Sequence, residues 1–481
     1  MHLKYWPALI TGIIVTCAMT CPSHVHAQSS SSLPATPQTQ ALPLNKAIDL
    51  AIQNYPSIRA RQSRIYAGQA AVTEAKDQRL PSLQLFEQID AGTSNNLGAA
   101  YFSAGIVPSV SGVSARPDNI GTVSTGNIGV AYLQWQVTNF GGFKAAVKEA
   151  GSRLHVDSMD LEREKFYIAS MVLQSYLDLV RFYELTKVQQ ENLLRADTMR
   201  MAIRNYVLSG LRPGVDSSLA AAEYAKARLD YLDIAGRFNR TQAQLALLTG
   251  LDTSVIKPEL SNDSLLIPTP TPTDAVAAAA ATDPNHPFLQ YFHSIYENGQ
   301  AQEQLIKKSY LPKVYFLGAG WLKGSSIKPD GSIDKDLASG LGYTRSNYLG
   351  GFGITYDLFN LRREKDRLHV QQYRTQTALH NFEEQQQVLN NAALQASIDL
   401  NTALGKYREV PIQLKAAQDA YAQRLTQYNA GLSNIIELST ALNVLNRAQT
   451  DLINTKDGVW RAVVQKAYAA GGIFQLLSTL K

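Results

Sequence analysis

The hydrophobic and polar positions between Phe359 and about Tyr468 follow a coiled-coil pattern, and Gly431 divides this stretch in two. On both sides of Gly431, mostly apolar residues recur in alternating steps of four and three, the spacing of a helix that packs on another helix. Before the glycine these positions are Phe382, Gln386, Leu389, Ala393, Ala396, Leu400, Ala403 and Tyr407. After it they are Leu438, Leu442, Leu445, Gln449, Leu452, Lys456, Val459 and Val463. The pattern predicts one long helical hairpin with its bend at Gly431.

The first arm of this hairpin is predicted to be very long. It runs from Asn360 to Ala430, which is 71 residues by numbering, or roughly 105 Å of helix. An average globular helix has only about 11 or 12 residues. A compact enzyme core does not need such a helix, so the pattern indicates a structure that reaches across a compartment.

The chain contains two copies of one unit, recognised by landmarks in the same order. In the first half, Pro56 is followed by a helical stretch and then by a Leu-Pro that ends at Pro81. In the second half, Pro287 is followed by a helical stretch and then by a Leu-Pro that ends at Pro312. The two prolines are 25 positions apart in each half. Two candidate strands around a Gly-rich interruption follow, and then a long helix. The landmarks are Asn54-Tyr55-Pro56, Leu80-Pro81 and Gly210-Leu211 in one half, and Asn285-His286-Pro287, Leu311-Pro312 and Gly431-Leu432 in the other. Such self-similarity predicts a duplicated architecture of helix, strand, loop, strand and long helical hairpin.

These landmarks define the predicted domains. A first repeat spans residues 42–251, with strands at 80–92 and 127–139 and a hairpin tip at 206–216. A second repeat spans residues 283–477, with strands at 311–323 and 347–359 and a tip at 428–437. Residues 252–282, which include an alternating Pro-Thr run at 268–273, are predicted to be a linker, and residues 28–41 a disordered leader.

Residues 1–27 have the features of a secretory signal peptide. Lys4 precedes an apolar core, and Val25-His26-Ala27 forms a small-x-small cleavage signal. The only two cysteines, Cys17 and Cys21, fall inside this segment, so the exported chain would have no thiol or disulfide. Lipidation at one of these cysteines is the alternative, although the residues before them fit a lipidation signal poorly. No later apolar run reaches the ~18 residues of a membrane helix, so any membrane insertion would use strands.

The candidate strands alternate between apolar and polar residues. In the second strand, Ala131, Leu133, Trp135 and Val137 share one face and oppose a face with Gln134 and Gln136. A transmembrane barrel and a half-buried soluble sheet both alternate in this way, and the export signal favours the barrel. Four strands cannot close a barrel, and open edges in lipid leave backbone groups unpaired. Two, three or four chains would therefore share strands to give 8, 12 or 16, all permitted even numbers.

Composition and motifs argue against an enzyme or a nucleic-acid-binding protein. The formal net charge of +5 over 481 residues is too small and dispersed to indicate nucleic acid. The sequence has no zinc-protease, Walker or nucleophile-elbow motif, and Gly318-x-Gly320 and Gly351-x-Gly353 lack the third glycine of a dinucleotide loop. The histidines after the signal lack metal-ligand spacing and are expected on helix surfaces: His155, His286, His293, His369 and His380. We expect no catalysis, cofactor or metal.

From about Leu42 to Leu477 the chain resembles the TolC-type outer-membrane efflux proteins. The resemblance is carried by the duplicated landmarks above, by the strand exits Asn139-Phe140-Gly141 and Leu358-Phe359-Asn360, and by the tips Tyr206-x-x-x-Gly210-Leu211 and Tyr428-x-x-Gly431-Leu432. It implies a mainly α fold whose long antiparallel coiled-coil hairpins form a periplasmic tunnel. It also implies a homotrimer with a 12-stranded barrel in the outer-membrane lipid, which works with a periplasmic adaptor and an inner-membrane transporter in efflux or type I secretion.

The resemblance further implies a gate at the hairpin tips. Asp216 and Glu437 each stand six residues after a turn glycine, where the family places acids around its narrow end. Ser433 stands where some relatives carry a gating arginine, and Thr440 where many carry a second acid. The remaining candidates at the tips are Tyr206, Tyr428, Gly210, Leu211, Gly431 and Leu432.

Two alternatives remain open from the sequence. Asp216 and Glu437 are also what an ordinary first helical turn favours, since acids there interact well with the helix dipole, and the two tyrosines could be packing residues. The whole chain could also be an exported coiled-coil structural or adhesion protein with no conduit. Detergent dependence and ion conductance separate that protein from a channel.

Overall fold

The computed structural model describes residues 41–93, 95, 118–258 and 283–479. The predicted signal peptide, the leader up to residue 40 and the Pro-Thr run at 268–273 lie outside these residues. The described chain is mainly helical, with two long helical hairpins and one four-stranded antiparallel sheet. The predicted class of fold is confirmed in these respects.

The order of elements is repeated in the two halves. The first half contains α1 (Leu44–Asn54), α2 (Pro56–Asp77), β1 (Ser82–Gly92), β2 (Ser124–Thr138), α3 (Gly142–Leu208) and α4 (Gly214–Thr249). The second half contains α5 (Pro287–Ser309), β3 (Lys313–Ser325), β4 (Arg345–Thr355), α6 (Asn360–Asn429), α7 (Ile435–Ala470) and α8 (Ile473–Thr479). Short 3-10 turns lie at Thr253–Val255 and Leu337–Gly340. We call α3 with α4 the first hairpin, and α6 with α7 the second hairpin.

The two long arms have nearly the same length. Helix α3 has 67 residues and α6 has 70, which correspond to about 100 Å and 105 Å. The return arms α4 and α7 have 36 residues each, so they cover only the part of each long arm that lies nearest the tip. No helix within the described ranges combines the length and apolar character needed to cross a membrane.

A proline begins the helix that precedes the strands in each half. Pro56 and Pro287 occupy the first turns of α2 and α5. A backbone N–H at this position has no acceptor within the helix, so the lack of an N–H in proline costs no hydrogen bond. Each proline also holds the residue before it out of the helical region. That residue is Tyr55 in the first half, with ψ of 128°, and His286 in the second, with ψ of 127°.

His286 is a buried helix cap, and the expectation that it lies on a helix surface is wrong. Its side chain is 0% exposed. Its Nδ1 accepts the N–H of Phe288 at 3.2 Å, so Nε2 carries the ring hydrogen and donates to the carbonyl of Tyr468 at 3.0 Å. Burial lowers the pKa of His286, whereas the bond to the Tyr468 carbonyl and the charge of Asp283 partly oppose that shift.

Apolar side chains hold each hairpin together. In the second hairpin the predicted seam positions Leu389, Ala396 and Leu400 are buried, whereas Gln386 is exposed. The largest apolar core lies where α3 meets α1, α4, α7 and α8, and it includes Phe166, Leu173, Leu179, Leu245, Leu248 and Ile473. Because apolar burial is non-directional and roughly proportional to area, these seams give the hairpins their stability.

The contact between the two hairpins is polar over several turns of α3 and α7. Arg461 Nη2 lies 2.8 Å from Asp178 Oδ1, and Arg195 Nη2 donates to Gln449 Oε1 at 2.7 Å. Asp457 lies between Arg461 and Arg181; burial raises the pKa of Asp457, and the two arginines oppose that rise. Hydrogen bonds are directional, so these contacts depend on the register between the hairpins.

The sheet has the order β1-β2-β3-β4, with every neighbouring pair antiparallel. The register places Leu83 opposite Leu133, and it places Phe316 opposite both Trp135 and Phe352. One face of the sheet is therefore apolar over much of its height. Among the described strands, β1 and β4 form the edges, each paired on one side only, and their side chains are almost all exposed.

Candidate functional site

Each hairpin turns through the same backbone motif at its tip. Gly210 and Gly431 adopt φ of 73° and 79°, a left-handed conformation that glycine accepts without a Cβ penalty. The N–H of Leu211 donates to the Tyr206 carbonyl at 2.9 Å, and the N–H of Leu432 donates to the Gln427 carbonyl at 2.8 Å. These are the bonds of a Schellman turn, which satisfies carbonyls at the end of a helix. Leu211 and Leu432 themselves are exposed.

The two tip tyrosines occupy different places although the turns are alike. Tyr206 stands four residues before its glycine and Tyr428 three residues before. One residue rotates a helical side chain by about 100°, so the two rings point in different directions from equivalent turns. Tyr428 is 4% exposed and Tyr206 is 37% exposed.

Tyr428 lies at the contact between the two tips. Arg212, from the first hairpin, places its guanidinium carbon 4.7 Å from the centre of the Tyr428 ring and donates from Nη2 to the Tyr428 carbonyl at 3.2 Å. The Tyr428 hydroxyl is buried with no hydrogen-bond partner among the described residues. Burial raises the pKa of Tyr428, the charge of Arg212 opposes that rise, and the negative charges of Asp216 and of an ionised Tyr206 hydroxyl add to it. Tyr428 is therefore a neutral phenol beside a buried acid.

The two predicted acids have different surroundings. Asp216 lies in the first turn of α4 and is buried, at 8% exposure. Glu437 lies in the first turn of α7 and is exposed. The cap of α7 is Asn434, whose Oδ1 accepts the N–H of Glu437 at 2.9 Å and whose Nδ2 donates to Glu437 Oε1 at 3.3 Å. Asn434 thus caps the helix through its side chain, and Glu437 contacts that same side chain in return, so Glu437 has a structural task in its own helix.

Glu437 is also neutralised within its own hairpin. Arg424 Nη1 lies 2.9 Å from Glu437 Oε2, and Ser433 Oγ donates to the same oxygen at 2.8 Å. Ser433 thus contacts the predicted acid but carries no charge, while Arg424 supplies the cation from α6. Thr440 is exposed and donates to the Ile436 carbonyl at 2.7 Å, an ordinary bond within the helix.

An apolar cluster holds the two tips against each other. Ile203 of α3 is fully buried against residues of α6 and α7. The cluster consists of Met199, Ile203, Ala220, Tyr428, Ile435, Leu438 and Leu442. Of the predicted site residues, Tyr428 belongs to this cluster, where it packs with apolar residues that flank both turns. Tyr206 and Thr440 are exposed and are not among its members.

Three residues that sequence reasoning missed complete the tips, namely Arg212, Arg424 and Asn434. The capping residue could have been found, because asparagine three residues before a glutamate is a helix-start signal. Arg424 lies thirteen positions before Glu437, across the turn of a predicted hairpin, so its proximity was also accessible. Arg212 lies 216 positions from Tyr428, and no local pattern could have paired them. In the described part of the chain no group of three or more potential ligands could hold a metal ion.

Comparison with known proteins agrees with this architecture. The family model described as "Outer membrane efflux protein" matches residues 47–251 and 297–472. No curated protein sequence matches the chain. Among solved structures, CusC superposes with a TM-score of 0.71 at 14% identity, covering 92% of this chain and 96% of CusC.

Two further outer-membrane protein structures have the same fold. CmeC of Campylobacter jejuni has a TM-score of 0.69 at 16% identity over 91% of this chain and 89% of its own. VceC of Vibrio cholerae has a TM-score of 0.66 at 17% identity over 89% of this chain and 96% of its own. At these identities the similarity establishes the fold.

Proposed function

The chain belongs to the outer membrane efflux protein family, and from that premise we propose that it is the exit duct of a tripartite efflux or type I secretion assembly. It is an outer-membrane efflux channel of the TolC type with a periplasmic helical extension. The family consists of trimeric channels and not of enzymes.

One observation carries the proposal of a shared barrel: among the residues that the structure describes, the sheet of a single chain has two unpaired edges and an apolar face. Leu83, Leu85, Phe352 and Ile354 belong to that face and are more than half exposed. In lipid, the unpaired N–H and C=O groups of β1 and β4 would each cost several kcal/mol. Pairing of β4 of one copy with β1 of the next removes these edges, and three copies give a closed barrel of 12 strands, an allowed even number.

The tips are the proposed contact with the remaining components. They lie about 100 Å of helix away from the sheet and expose apolar side chains in both turns, chiefly Leu208, Leu211, Val215, Leu432 and Ile436. Contiguous exposed apolar residues mark interaction sites. We propose that a periplasmic adaptor binds here and connects the duct to an inner-membrane transporter. The chain itself lacks a nucleotide-binding motif and is a passive conduit in this scheme.

The same tips are the proposed gate. In a trimer, Asp216 and Glu437 would place six carboxylates around the narrow end, next to Tyr206, Tyr428, Ser433 and Thr440. Carboxylates that line a confined mouth favour cations. Arg424 already offsets part of the charge of Glu437 in this conformation.

Native mass spectrometry in detergent and planar-bilayer recording test the proposal together. We expect a trimer that needs detergent and conducts ions. A folded, membrane-inserted monomer would refute the shared barrel. A protein that stays soluble without detergent and does not conduct would instead be the coiled-coil structural or adhesion protein.

Crosslinking from the tips of the channel in cells would identify the adaptor. Failure to capture any periplasmic or inner-membrane protein at the tips would contradict the proposed assembly.

A further inference from the structure

We infer that four lysines just below the sheet bind the phosphate groups of anionic phospholipids in the periplasmic leaflet of the membrane. The inference rests on the placement of the sheet in the outer membrane. It gives a lipid partner to a surface that neither the shared barrel nor the gate uses. We call this surface the lysine collar, and its members are Lys144 and Lys148 of α3, Lys307 of α5 and Lys365 of α6.

The lysine collar lies where the strands of the sheet connect to helices. Lys144 is in the first turn of α3 and Lys307 is in the last turn of α5. Lys148 and Lys365 are in the second turns of α3 and α6. With a rise of about 1.5 Å per residue, all four lie within about 10 Å of the helix ends that adjoin the sheet.

Packing around α3 places Lys144 on the outer side of the helix wall. Ser152 contacts α5 and Leu154 packs against α2. Arg153 lies between these two contacts, in a groove that both neighbouring helices line. Lys144 is about two and a half turns before Arg153 and therefore on the opposite side of α3. In a closed ring of helices the neighbours of each helix lean toward the axis, so the Arg153 groove faces inward and Lys144 faces outward.

The lysines of α5 and α6 share this outer side. Leu305 of α5 lines the same inner groove as Arg153, and Ile306 lines the next inner groove with Arg363 of α6. Successive helical residues are about 100° apart, so Lys307 points away from the mean direction of Leu305 and Ile306. Lys365 follows Arg363 by two residues, or about 200°. Both lysines therefore face outward.

The collar has an excess of positive charge. None of its four lysines forms a hydrogen bond or an ion pair with another residue that the structure describes. Glu303, one turn before Lys307, lines the outer groove between α5 and α6, and one glutamate offsets only part of the charge of four lysines. The helix dipole favours Lys307 at the end of α5 but opposes Lys144 in the first turn of α3. Helix stability alone therefore does not account for the collar.

A row of aromatic side chains borders the collar on its membrane side. Trp135, Phe316 and Phe352 lie next to one another across β2, β3 and β4, on the apolar face of the sheet. Trp135 is 41% exposed and Phe352 is 76% exposed. Aromatic belts of this kind lie at the boundary between lipid and water. The collar is then at the level of the periplasmic headgroups.

Charge complementarity selects the lipid. An anionic membrane surface favours each nearby lysine by about fivefold, whereas the ammonium of a zwitterionic headgroup cancels the charge of its phosphate. A phospholipid whose headgroup has a net negative charge therefore fits the collar better than a zwitterionic one. Because the collar is continuous with the apolar face of the sheet, one lipid molecule can place its acyl chains on that face and its phosphate on the lysines.

The test compares lipid retention by the full-length channel and by a variant without the collar charges. Channels are reconstituted in vesicles of equal parts phosphatidylglycerol and phosphatidylcholine and extracted in mild detergent, and the retained lipids are counted by native mass spectrometry. The wild-type channel should retain phosphatidylglycerol in preference to phosphatidylcholine. This preference should fall by about fivefold or more in the collar variant, which combines Lys144→Gln, Lys148→Gln, Lys307→Gln and Lys365→Gln.

Two control variants separate the collar from a general loss of charge. The first removes four exposed cations of the hairpins far from the sheet, by Arg204→Gln, Arg228→Gln, Lys406→Gln and Arg408→Gln, and should keep the wild-type preference. The second keeps the collar charge with Lys144→Arg, Lys148→Arg, Lys307→Arg and Lys365→Arg, and should also keep it. A collar variant with the wild-type preference overturns the inference, and so does an equal loss in the first control.

Three further measurements separate a lipid from other partners. Added salt should weaken the preference, because exposed charges are screened over about 8 Å at physiological ionic strength. Inorganic phosphate that displaces phosphatidylglycerol more than sulfate does would indicate a site for the free anion and would contradict a lipid partner. A collar variant that shifts the reversal potential in a salt gradient but keeps its lipid preference would place the lysines in the tunnel and would also contradict the inference.

Failure of the collar and failure of the proposed function give different results. A wild-type protein that never enters the vesicles refutes the channel and the collar together. An inserted, conducting channel that retains both lipids equally refutes the collar alone.

Discussion

The two hairpin tips share a backbone but use it to bury different side chains. Both end in a Schellman turn at a glycine with positive φ, and both carry an acid six residues later. In the first tip the acid Asp216 is buried and the tyrosine exposed; in the second the tyrosine Tyr428 is buried and the acid exposed. The backbone of the turn is therefore the same in both halves. The tyrosine position differs by one residue between them, and the two halves bury different side chains at the contact.

The helix starts before the strands differ between the halves in the same way. Tyr55 and His286 both precede a proline at the first position of a helix. His286 is fully buried and caps its helix through the side chain, whereas Tyr55 is half-buried and makes no capping bond. The comparison indicates that the main-chain geometry of this helix start is common to the halves, whereas a capping side chain is present in the second half and not in the first.

The largest expected difference between the tips comes from removing the tyrosines. Tyr428→Ala should destabilise the tips by about 3 to 5 kcal/mol, as deletion of a buried aromatic ring does. Tyr206→Ala should change their stability by less than about 1 kcal/mol, because surface substitutions seldom cost more. Hydrogen–deuterium exchange at the ends of α3 and α6 measures both. Equal loss of protection in the two variants would show that the tips are equivalent after all.

The turn glycines should behave alike, because the tips share their backbone. Gly210→Ala and Gly431→Ala force a Cβ into the left-handed region and should each cost about 1 to 2 kcal/mol. Gly405→Ala is the matched control in α6, where open space surrounds the glycine, and it should stabilise its helix by about 1 kcal/mol. Exchange protection or the thermal midpoint of the detergent-solubilised protein reports the sign. A clear difference between Gly210→Ala and Gly431→Ala would break the proposed equivalence of the turns.

Removal of the acids at the tips should have smaller effects than removal of the tyrosine or the glycines, and these effects should appear as changes in ion selectivity. Glu437→Ala should weaken cation selectivity and divalent block in bilayer recordings, and Asp216→Ala should add to that loss. Each effect should be about fivefold or less, because two unit charges about 4 Å apart in water interact with only about 1 kcal/mol. Arg424→Gln should act in the opposite direction, since it exposes the charge of Glu437. Unchanged selectivity in all three variants would assign the acids to the helix starts alone.

The smallest expected effect is a pH dependence that arises at His286 and not at the equivalent Tyr55. Burial lowers the pKa of His286 below its ordinary value of about 6.5, so the unfolded chain binds a proton at a pH where the native chain does not. Stability should therefore fall as the pH drops below about 6.5, because protonation of Nδ1 removes the cap of α5. His286→Asn keeps a capping side chain and should flatten the slope of thermal midpoint against pH. Tyr55→Phe, at the equivalent position, should leave the slope unchanged.

Local patterns predicted the parts of the fold that depend on neighbouring residues. The heptad spacing predicted the seam at Leu389, Ala396 and Leu400, and the turn glycines predicted both bends. Contacts between segments far apart in sequence were not predictable in this way. The polar contacts of Arg461 with Asp178 and of Arg212 with Tyr428 join positions 283 and 216 residues apart, and nothing near either partner specifies the other.

The sequence by itself determined where this chain turns, how long its arms are and which residues repeat between its halves. These features follow from backbone preferences and from the periods of the helix and the strand, which act over a few residues. Only the tertiary structure decided that Tyr428 and not Tyr206 is buried, that Glu437 is paired with Arg424, and that Arg212 reaches the other hairpin. The periodicity fixes the direction of a side chain relative to its own helix. Whether a side chain pointing in that direction contacts the other hairpin depends on long-range packing, which satisfies the contacts of many residues together.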